Sequence, residues 1–173
     1  MERVILVDEQ DNPIGSEEKL RAHQDGGKLH RAFSVFIFND HGELLLQRRA
    51  RCKYHFGGLW SNTCCSHPRE NETLSEAVHR KLIQEMGFDT AVEEALVFTY
   101  RAVDADSGLT EHEFDHVFSG VHNTDPLPNP DEVEEWKWSS QSLIERDLYD
   151  DAPNYTPWFS IAFRRLMALR PTA

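Results

Sequence analysis

A cysteine and a histidine stand two residues apart in the segment 60–68, which reads Trp-Ser-Asn-Thr-Cys-Cys-Ser-His-Pro. If this segment is extended, the alternation of side chains places Cys65 and His67 on the same face. A helix predicted over residues 72–86 follows and carries Glu85 near its end. A thiol, an imidazole and a carboxylate close together in the chain are suited to acid–base chemistry beside a metal ion.

Carboxylates and histidines elsewhere could complete a metal site. Glu111 and Glu113 are predicted to share one face of a strand, about 7 Å apart by the strand rise. His23 and His30 join His67 as histidines in loops or on polar strand faces. Imidazole nitrogens and carboxylate oxygens together suit divalent Zn, Mn or Fe. The alternative is that some of these histidines are surface residues.

The remaining histidines fall at predicted surface or turn positions, and we assign them no role: His41, His55, His79, His112, His116 and His122.

The cysteines have different expected roles. Cys65 is either a buried, inert thiol, the commoner fate of a free cysteine, or a catalytic thiol whose pKa is lowered by a nearby metal or cation. Cys64 is expected to point the opposite way, into the core, and Cys52 has no assigned role. Because adjacent cysteines bridge only with strain, free thiols in a reducing, cytoplasmic setting are expected.

The densest positive charge lies in residues 48–53. A run of charge usually solubilises a hairpin edge, and the functional alternative is a clamp for a diphosphate. Trp158 is likewise either a packed aromatic or a π face for a cationic intermediate. Glu85 falls on the apolar stripe of its helix, with Lys81 at the edge, so its carboxylate should be paired or bound to metal. Glu76 and Arg80 are expected to form a surface pair.

Length and charge limit the classes of function. A chain of 173 residues is expected to form one domain with its own core. Its net charge of −12 disfavours a nucleic-acid partner, although a local basic pocket could bind a small anion. The apolar run near the N-terminus is too short for a membrane span.

Periodicity and turn residues predict alternating strands and helices. Ser16 is expected to begin a short helix that runs toward His23. The mixture predicts an α/β or α+β sandwich. Strands are predicted at residues 3–8, 29–38, 43–47, 90–103, 109–120 and 134–138, and further helices at 72–86, 141–145 and from 156 onward.

Residues 66–88 resemble the Nudix box, a glutamate-rich signature that ends in a glycine and a bulky residue. Six positions fit: Glu72, Arg80, Leu82, Glu85, Gly87 and Phe88. Three positions depart from it: Ser66, Lys81 and Gln84. The resemblance implies a Nudix fold, with a mixed sheet between helices in a single domain over residues 1–173. The lost glutamates argue against a pyrophosphate hydrolase.

The departures from the Nudix box resemble those of type I isopentenyl diphosphate isomerases. Segment 60–68 is similar to that family's tryptophan-to-proline signature, and residues 111–113 to its Glu-x-Glu signature. His23 and His30 match its paired N-terminal histidines, and segment 155–158 its C-terminal tryptophan segment. The resemblance implies interconversion of isopentenyl and dimethylallyl diphosphate, a monomeric or homodimeric enzyme, and no nucleic-acid or membrane partner.

The resemblance also implies roles for single residues. One divalent metal, Mn²⁺, Mg²⁺ or Zn²⁺, would be bound by His23, His30, His67, Glu111 and Glu113. Glu85 would help to hold a Mg²⁺ that accompanies the diphosphate, whose oxygens would contact Lys19, Arg49, Lys53 and Lys81. The acid–base pair would be Cys65 and Glu113, with Tyr100 assisting and Trp158 against the substrate.

Two other functions are weighed against the isomerase. A Nudix pyrophosphohydrolase acting on a nucleoside diphosphate derivative would need several helix carboxylates for Mg²⁺, and only Glu72 and Glu85 remain. A non-catalytic Nudix-fold binding module would have no need of Cys65.

Overall fold

The structure is a computed structural model that describes residues 2–53, 55–150 and 154–170. The strands are β1 (Arg3–Val7), β2 (Pro13–Glu18), β3 (His30–Phe38), β4 (Leu44–Arg49), β5 (Trp60–Ser61), β6 (Cys64–Ser66), β7 (Val92–Val103), β8 (Thr110–Val121) and β9 (Val133–Ser139). The helices are α1 (Lys19–Ala22), α2 (Leu74–Lys81), α3 (Gln141–Asp150) and α4 (Pro157–Leu169), and α2 continues into a π-helical turn, Leu82–Met86.

Strand β3 is the centre of the sheet. It pairs antiparallel with β1, β4 and β6 and parallel with β8. The parallel register runs from His30 opposite Glu113 to Phe38 opposite Val121. Strand β7 lies antiparallel on the other side of β8, and β9 pairs with β4. The sheet therefore brings β6 and the start of β8 to opposite sides of the same strand.

Alternating residues of β3 supply two separate apolar cores. Phe33 and Val35 face α2 and pack with Val78 and Leu82. Phe36, on the opposite face, packs with the aromatic residues of α4, including Phe159. Because each face is covered by helices, both sets of side chains are buried. This arrangement confirms the predicted α+β sandwich and the apolar stripe of the α2 helix.

The prediction of a helix starting at Ser16 is wrong. Residues 13–18 form β2, which pairs antiparallel with β1 from Glu18 opposite Arg3 to Pro13 opposite Val7. Helix α1 begins only at Lys19, and the Glu18 side chain accepts hydrogen bonds from its first backbone N–H groups. Pairing with the edge of β1 is a tertiary interaction, and here it outweighs the local capping preference of the serine.

The start of α2 also differs from the predicted surface pairing. Thr73 and Glu76 form a capping box, in which each side chain accepts from the backbone N–H of the other residue. Arg80 binds instead to Glu72, with nitrogen–oxygen distances of 2.6 and 2.8 Å. The expected Glu76–Arg80 pair is therefore wrong, because each of the two side chains has a different partner at the N-terminal end of the helix.

No helix in the described ranges has the length and apolar character needed to cross a membrane.

Gly87, which ends the π-helical turn, should be important for stability. Its φ is +75°, and an added Cβ would lie 2.3 Å from the carbonyl oxygen of Leu127. We predict that Gly87→Ala lowers the free energy of unfolding, measured by urea denaturation, by about 1–3 kcal/mol more than Gly108→Ala does. Gly108 is a matched control, since its φ is +73° with nothing within 4 Å of the added atom. Equal losses in the two variants would show that the contact with Leu127 does not matter.

Candidate functional site

Three histidines and two glutamates meet in the interior at one end of the sheet. Their donor atoms all lie within 4.8 Å of one another, and all five side chains are buried. His23 follows α1, His30 opens β3 and His67 follows β6, whereas both glutamates lie near the start of β8. The cluster consists of His23, His30, His67, Glu111 and Glu113, the five residues predicted to share a metal.

Pairs of these residues are in hydrogen-bonding contact. His23 Nε2 lies 3.0 Å from Glu111 Oε2, and His67 Nε2 lies 2.8 Å from Glu113 Oε1. His30 Nε2 lies 3.2 Å from His67 Nε2 and 3.6 Å from Glu113 Oε1. Each of the three imidazoles thus directs its Nε2 atom toward the carboxylates.

Hydrogen bonds to backbone carbonyls also fix the orientation of two of the imidazole rings. His23 Nδ1 donates to the carbonyl of Lys19 at 2.6 Å, and His30 Nδ1 donates to the carbonyl of Lys28 at 2.7 Å. A ring that donates through Nδ1 has, when neutral, its lone pair on Nε2. That lone pair faces the shared centre, which is the arrangement of histidines that ligate metal. The donor set therefore fits one divalent cation.

Electrostatics in the cluster reflect two buried carboxylates side by side. Burial raises the pKa of Glu111, but hydrogen bonds from His23 and His55 outweigh it and place the pKa well below its ordinary value. Burial and the charge of Glu111 raise the pKa of Glu113, and hydrogen bonds from His30 and His67 bring it below its ordinary value. Both side chains are therefore anionic at neutral pH, which favours a cation between them.

The pKa values of two cluster histidines, His67 and His23, are shifted in opposite directions. Burial lowers the pKa of His67 to about 4, against the opposing influence of Glu113, so this ring is neutral and able to ligate. Burial also disfavours charge on His23, but its hydrogen bond to Glu111 and the charge of that carboxylate raise its pKa overall.

The surface position predicted for His55 is wrong. His55 is only 7 % exposed, and its Nε2 contacts Glu111 Oε1. No pattern in the sequence marked His55, because it lies in a loop outside the helices and strands. The surface assignment is also wrong for His116, which is 7 % exposed and bridges Asp11 and Glu94 away from the cluster.

A narrow pocket of about 50 Å³ adjoins the cluster. It brings together all of the predicted catalytic and substrate-binding residues with part of the cluster. The lining residues comprise Lys19, Arg49, Lys53, His55, Cys65, Ser66, His67, Lys81, Glu85, Tyr100, Glu111, Glu113 and Trp158.

The thiol in this pocket is held in its protonated form. Burial raises the pKa of Cys65 to about 12, although the Arg49 guanidinium opposes the rise. The lowered pKa expected of a catalytic thiol beside a cation is therefore wrong, because burial outweighs the charge of Arg49. Arg49 Nη1 lies 3.9 Å from the sulfur. A thiol with this pKa keeps its proton at neutral pH and is not a ready thiolate nucleophile. Cys64, as expected, points into the core and is fully buried.

Two aromatic side chains complete the pocket. The Tyr100 hydroxyl donates to Glu113 Oε2 at 2.6 Å, and burial together with that carboxylate raises the pKa of Tyr100 well above its ordinary value. Trp158 is 3 % exposed, and the guanidinium carbon of Arg49 lies 5.4 Å from the centre of its ring. The π face of Trp158 therefore lies where a cation can approach it.

Glu85 is paired, as its position on the apolar stripe predicted. Its carboxylate accepts from Lys81 at 2.7 Å and from Gln47 at 3.0 Å. Burial raises the pKa of Glu85, but Lys81 and Lys53 lower it below its ordinary value. Glu72 differs, since both of its oxygens bind Arg80. The α2 region thus directs one carboxylate, and not two, into the pocket.

Comparisons with known proteins agree with this geometry. The NUDIX domain matches residues 28–159. The chain is 51% identical to "Isopentenyl-diphosphate Delta-isomerase" of Halorhodospira halophila, over 100% of this chain and 97% of that protein. It is 49% identical to "Isopentenyl-diphosphate Delta-isomerase 2" of Aromatoleum aromaticum, over 98% of this chain and 88% of the relative.

Solved structures share the fold at low identity. DR0079 from Deinococcus radiodurans has a TM-score of 0.79 at 20% identity, covering 95% of this chain and 99% of that chain. A MutT protein from Methanosarcina mazei has a TM-score of 0.66 at 22% identity, covering 81% of this chain and 94% of that chain. The mixed sheet flanked by helices is therefore the Nudix fold.

This chain belongs to the Nudix family and, within that family, to the isopentenyl-diphosphate Delta-isomerases.

His55 should support metal binding by orienting Glu111. We predict that His55→Gln weakens Mn²⁺ binding about 10- to 100-fold, as loss of a residue behind a metal ligand commonly does. Isothermal titration of the metal-free protein measures this. His112→Gln is the control, because His112 lies between Glu111 and Glu113 in sequence but binds the Gly27 carbonyl at 3.2 Å. Wild-type affinity in His55→Gln would refute the role.

Proposed function

We propose that this protein interconverts isopentenyl diphosphate and dimethylallyl diphosphate by adding a proton at one carbon of the allylic unit and removing one from another. The observation that carries the proposal is that Cys65, Glu113 and Trp158 line one pocket with four basic side chains. The similarity of the chain to relatives named isopentenyl-diphosphate Delta-isomerase supports it over nearly the full length.

The proposal takes residues 1–173 as one isomerase domain. It places the enzyme in the cytoplasm, as a monomer or homodimer that acts on a small diphosphate. The net charge of −12 disfavours a nucleic-acid partner, and the basic side chains that line the pocket support a small anion.

The five-residue cluster fits a divalent metal, by the inward-facing Nε2 atoms of His23 and His30 and the two buried carboxylates. The proposed ion is Mn²⁺, Mg²⁺ or Zn²⁺, and the three imidazole nitrogens favour Mn²⁺ or Zn²⁺ over Mg²⁺, which prefers oxygen donors. When bound, the metal supplies positive charge that stabilises the anionic form of Glu113 and favours proton transfer beside it. Glu85 is the residue proposed to help hold a Mg²⁺ that accompanies the diphosphate.

Proton transfer is assigned to Cys65 and Glu113. An alkene without activating groups is a weak base, so its protonation needs an acid placed directly against the carbon. One of the two groups adds a proton to the alkene, and the other removes a proton from the methylene carbon across the allylic unit. Tyr100 donates a hydrogen bond to Glu113 and fixes the carboxylate that faces the substrate.

Trp158 is assigned to the tertiary carbocation that develops between these steps. The ring quadrupole of tryptophan attracts a cation placed over its face, by about 1–2 kcal/mol when water is excluded. The ring is buried beside Phe56 and Tyr100, which also keeps water from trapping the cation.

The diphosphate is assigned to the basic side of the pocket. Lys19, Arg49, Lys53 and Lys81 line this side together. Binding energy from the diphosphate, remote from the reacting carbons, holds those carbons in place between the acid and the base.

The second candidate, a pyrophosphohydrolase acting on a nucleoside diphosphate derivative, is favoured by the Nudix fold alone. It is opposed by the engagement of Glu72 with Arg80 and by Lys81 beside Glu85. Incubation with Mg²⁺ and a panel of nucleotides, with detection of released phosphate and pyrophosphate, separates the two. Robust release without conversion of isopentenyl diphosphate would reject the isomerase.

The first catalytic prediction concerns the thiol. Cys65→Ala should lower kcat by at least about 10³-fold, because the methyl group of alanine cannot carry a proton to or from the substrate. Conversion of isopentenyl diphosphate is measured, and circular dichroism checks folding. Cys52→Ala is the matched control and should retain full activity, since Cys52 is exposed. Full activity in Cys65→Ala would refute the acid–base assignment, whereas a wild-type protein without any conversion would favour a binding module.

The second prediction concerns the carboxylate. Glu113→Gln keeps the shape of the side chain but cannot accept or release the proton, so it should be inactive even with metal bound. Metal content and turnover are measured on the same sample. A metal-loaded Glu113→Gln enzyme that turns over normally would show that Glu113 is only structural.

A further inference from the structure

Two lysines on the basic side of the pocket contact a carboxylate from outside the cluster. Lys53 Nζ forms an ion pair with Glu132 Oε2, and Lys81 Nζ lies 3.9 Å from Glu132 Oε1. Glu132 thus sits between two of the four cations that the proposed function gives to the diphosphate. Its side chain is 27% exposed and lines a wider cavity of about 660 Å³, which shares Lys19, Lys53 and Lys81 with the narrow pocket.

The position of Glu132 is fixed by the backbone around it. Its carbonyl accepts from the N–H of Ala50 at 3.0 Å, directly after β4, and its own N–H donates to the carbonyl of Asn129 at 3.0 Å. The loop that carries it is tied in turn to the π-helical turn, since the N–H of Asn129 donates to the carbonyl of Glu85 at 2.9 Å. Three backbone hydrogen bonds therefore fix the loop that carries Glu132, and its side chain remains the part that can move relative to Lys53 and Lys81.

We propose that Glu132 is a displaceable counter-ion that sets the affinity of the enzyme for the diphosphate group. The inference rests on the proposed function, which assigns Lys53 and Lys81 to the diphosphate. In the free enzyme Glu132 offsets the charge of these lysines. A bound diphosphate pairs with the same two ammonium groups, so the Glu132 carboxylate loses its contacts with them. Its negative charge also repels the diphosphate.

This arrangement has a defined consequence for affinity. Solvent weakens the interaction of a partly exposed ion pair, so the carboxylate should alter diphosphate binding by a modest factor and not abolish it. Because Glu132 acts on binding and not on the reacting carbons, the substrate and the transition state should be affected equally. Such uniform effects change KM and leave kcat nearly unaltered.

The test uses Glu132→Gln, which removes the charge and keeps the size. We expect KM for isopentenyl diphosphate and the dissociation constant of inorganic pyrophosphate to fall about threefold to tenfold at fixed free Mg²⁺. The value of kcat should change less than KM. Glu134→Gln is the matched control, because Glu134 lies two residues on and pairs with the exposed Arg51 at 3.2 Å; it should bind pyrophosphate like the wild type.

Glu132→Ala is the second variant, so that the outcome does not depend on one substitution, and it should shift pyrophosphate binding in the same direction. In a Lys53→Met background, removal of the Glu132 charge should give a smaller gain, since one of its two partners is absent. Weaker or unchanged pyrophosphate binding in both Glu132 variants would overturn the proposal.

Calorimetric binding of pyrophosphate makes this failure distinguishable from failure of the proposed function. An enzyme that binds pyrophosphate more tightly on loss of Glu132, but does not convert isopentenyl diphosphate, would reject the reaction and retain the counter-ion.

Discussion

The burial of two carboxylates next to each other is the constraint on which the rest of the site depends. Glu111 and Glu113 lie in the interior of the sheet, where unpaired negative charge is costly. Imidazoles contact both of them, from His23 and His55 on Glu111 and from His30 and His67 on Glu113. A fold that buries this pair must offset its charge with protons or a divalent cation, and these histidines can hold either.

The register of the sheet is what assembles the pair with its partners. Strand β3 runs parallel to β8, with His30 opposite Glu113, and antiparallel to β6, with Ser34 opposite Cys65. A thiol and a candidate metal-ligating carboxylate therefore lie on the two strands that flank β3. The cores on the two faces hold that register in place, since a shift by one residue would exchange the side chains that face α2 with those that face α4. The chemistry of the pocket thus follows from strand pairing, and the α4 helix adds Trp158 as its wall.

Local patterns in the sequence predicted the features that they determine and missed those that depend on distant partners. Periodicity along α2 correctly indicated its apolar stripe, and the Glu-x-Glu spacing correctly placed both carboxylates on one face. The second core, where Phe36 packs against α4, depends on distant partners and was not predicted. The helix expected at Ser16 failed because pairing with β1 is not encoded locally. His55 was missed because no periodicity marks a loop residue, although the loop places its ring against Glu111. The roles of the individual site residues stay predictions.

The most direct test of the central claim is nuclear magnetic resonance of isopentenyl diphosphate in deuterated water with the enzyme and Mg²⁺. A thiol and a carboxylate that exchange protons with an allylic unit should place deuterium in the methyl group newly formed in dimethylallyl diphosphate. Through the reverse reaction they should also label the allylic methylene of recovered isopentenyl diphosphate. Release of pyrophosphate from a substrate that gains no deuterium and forms no dimethylallyl diphosphate would contradict the account.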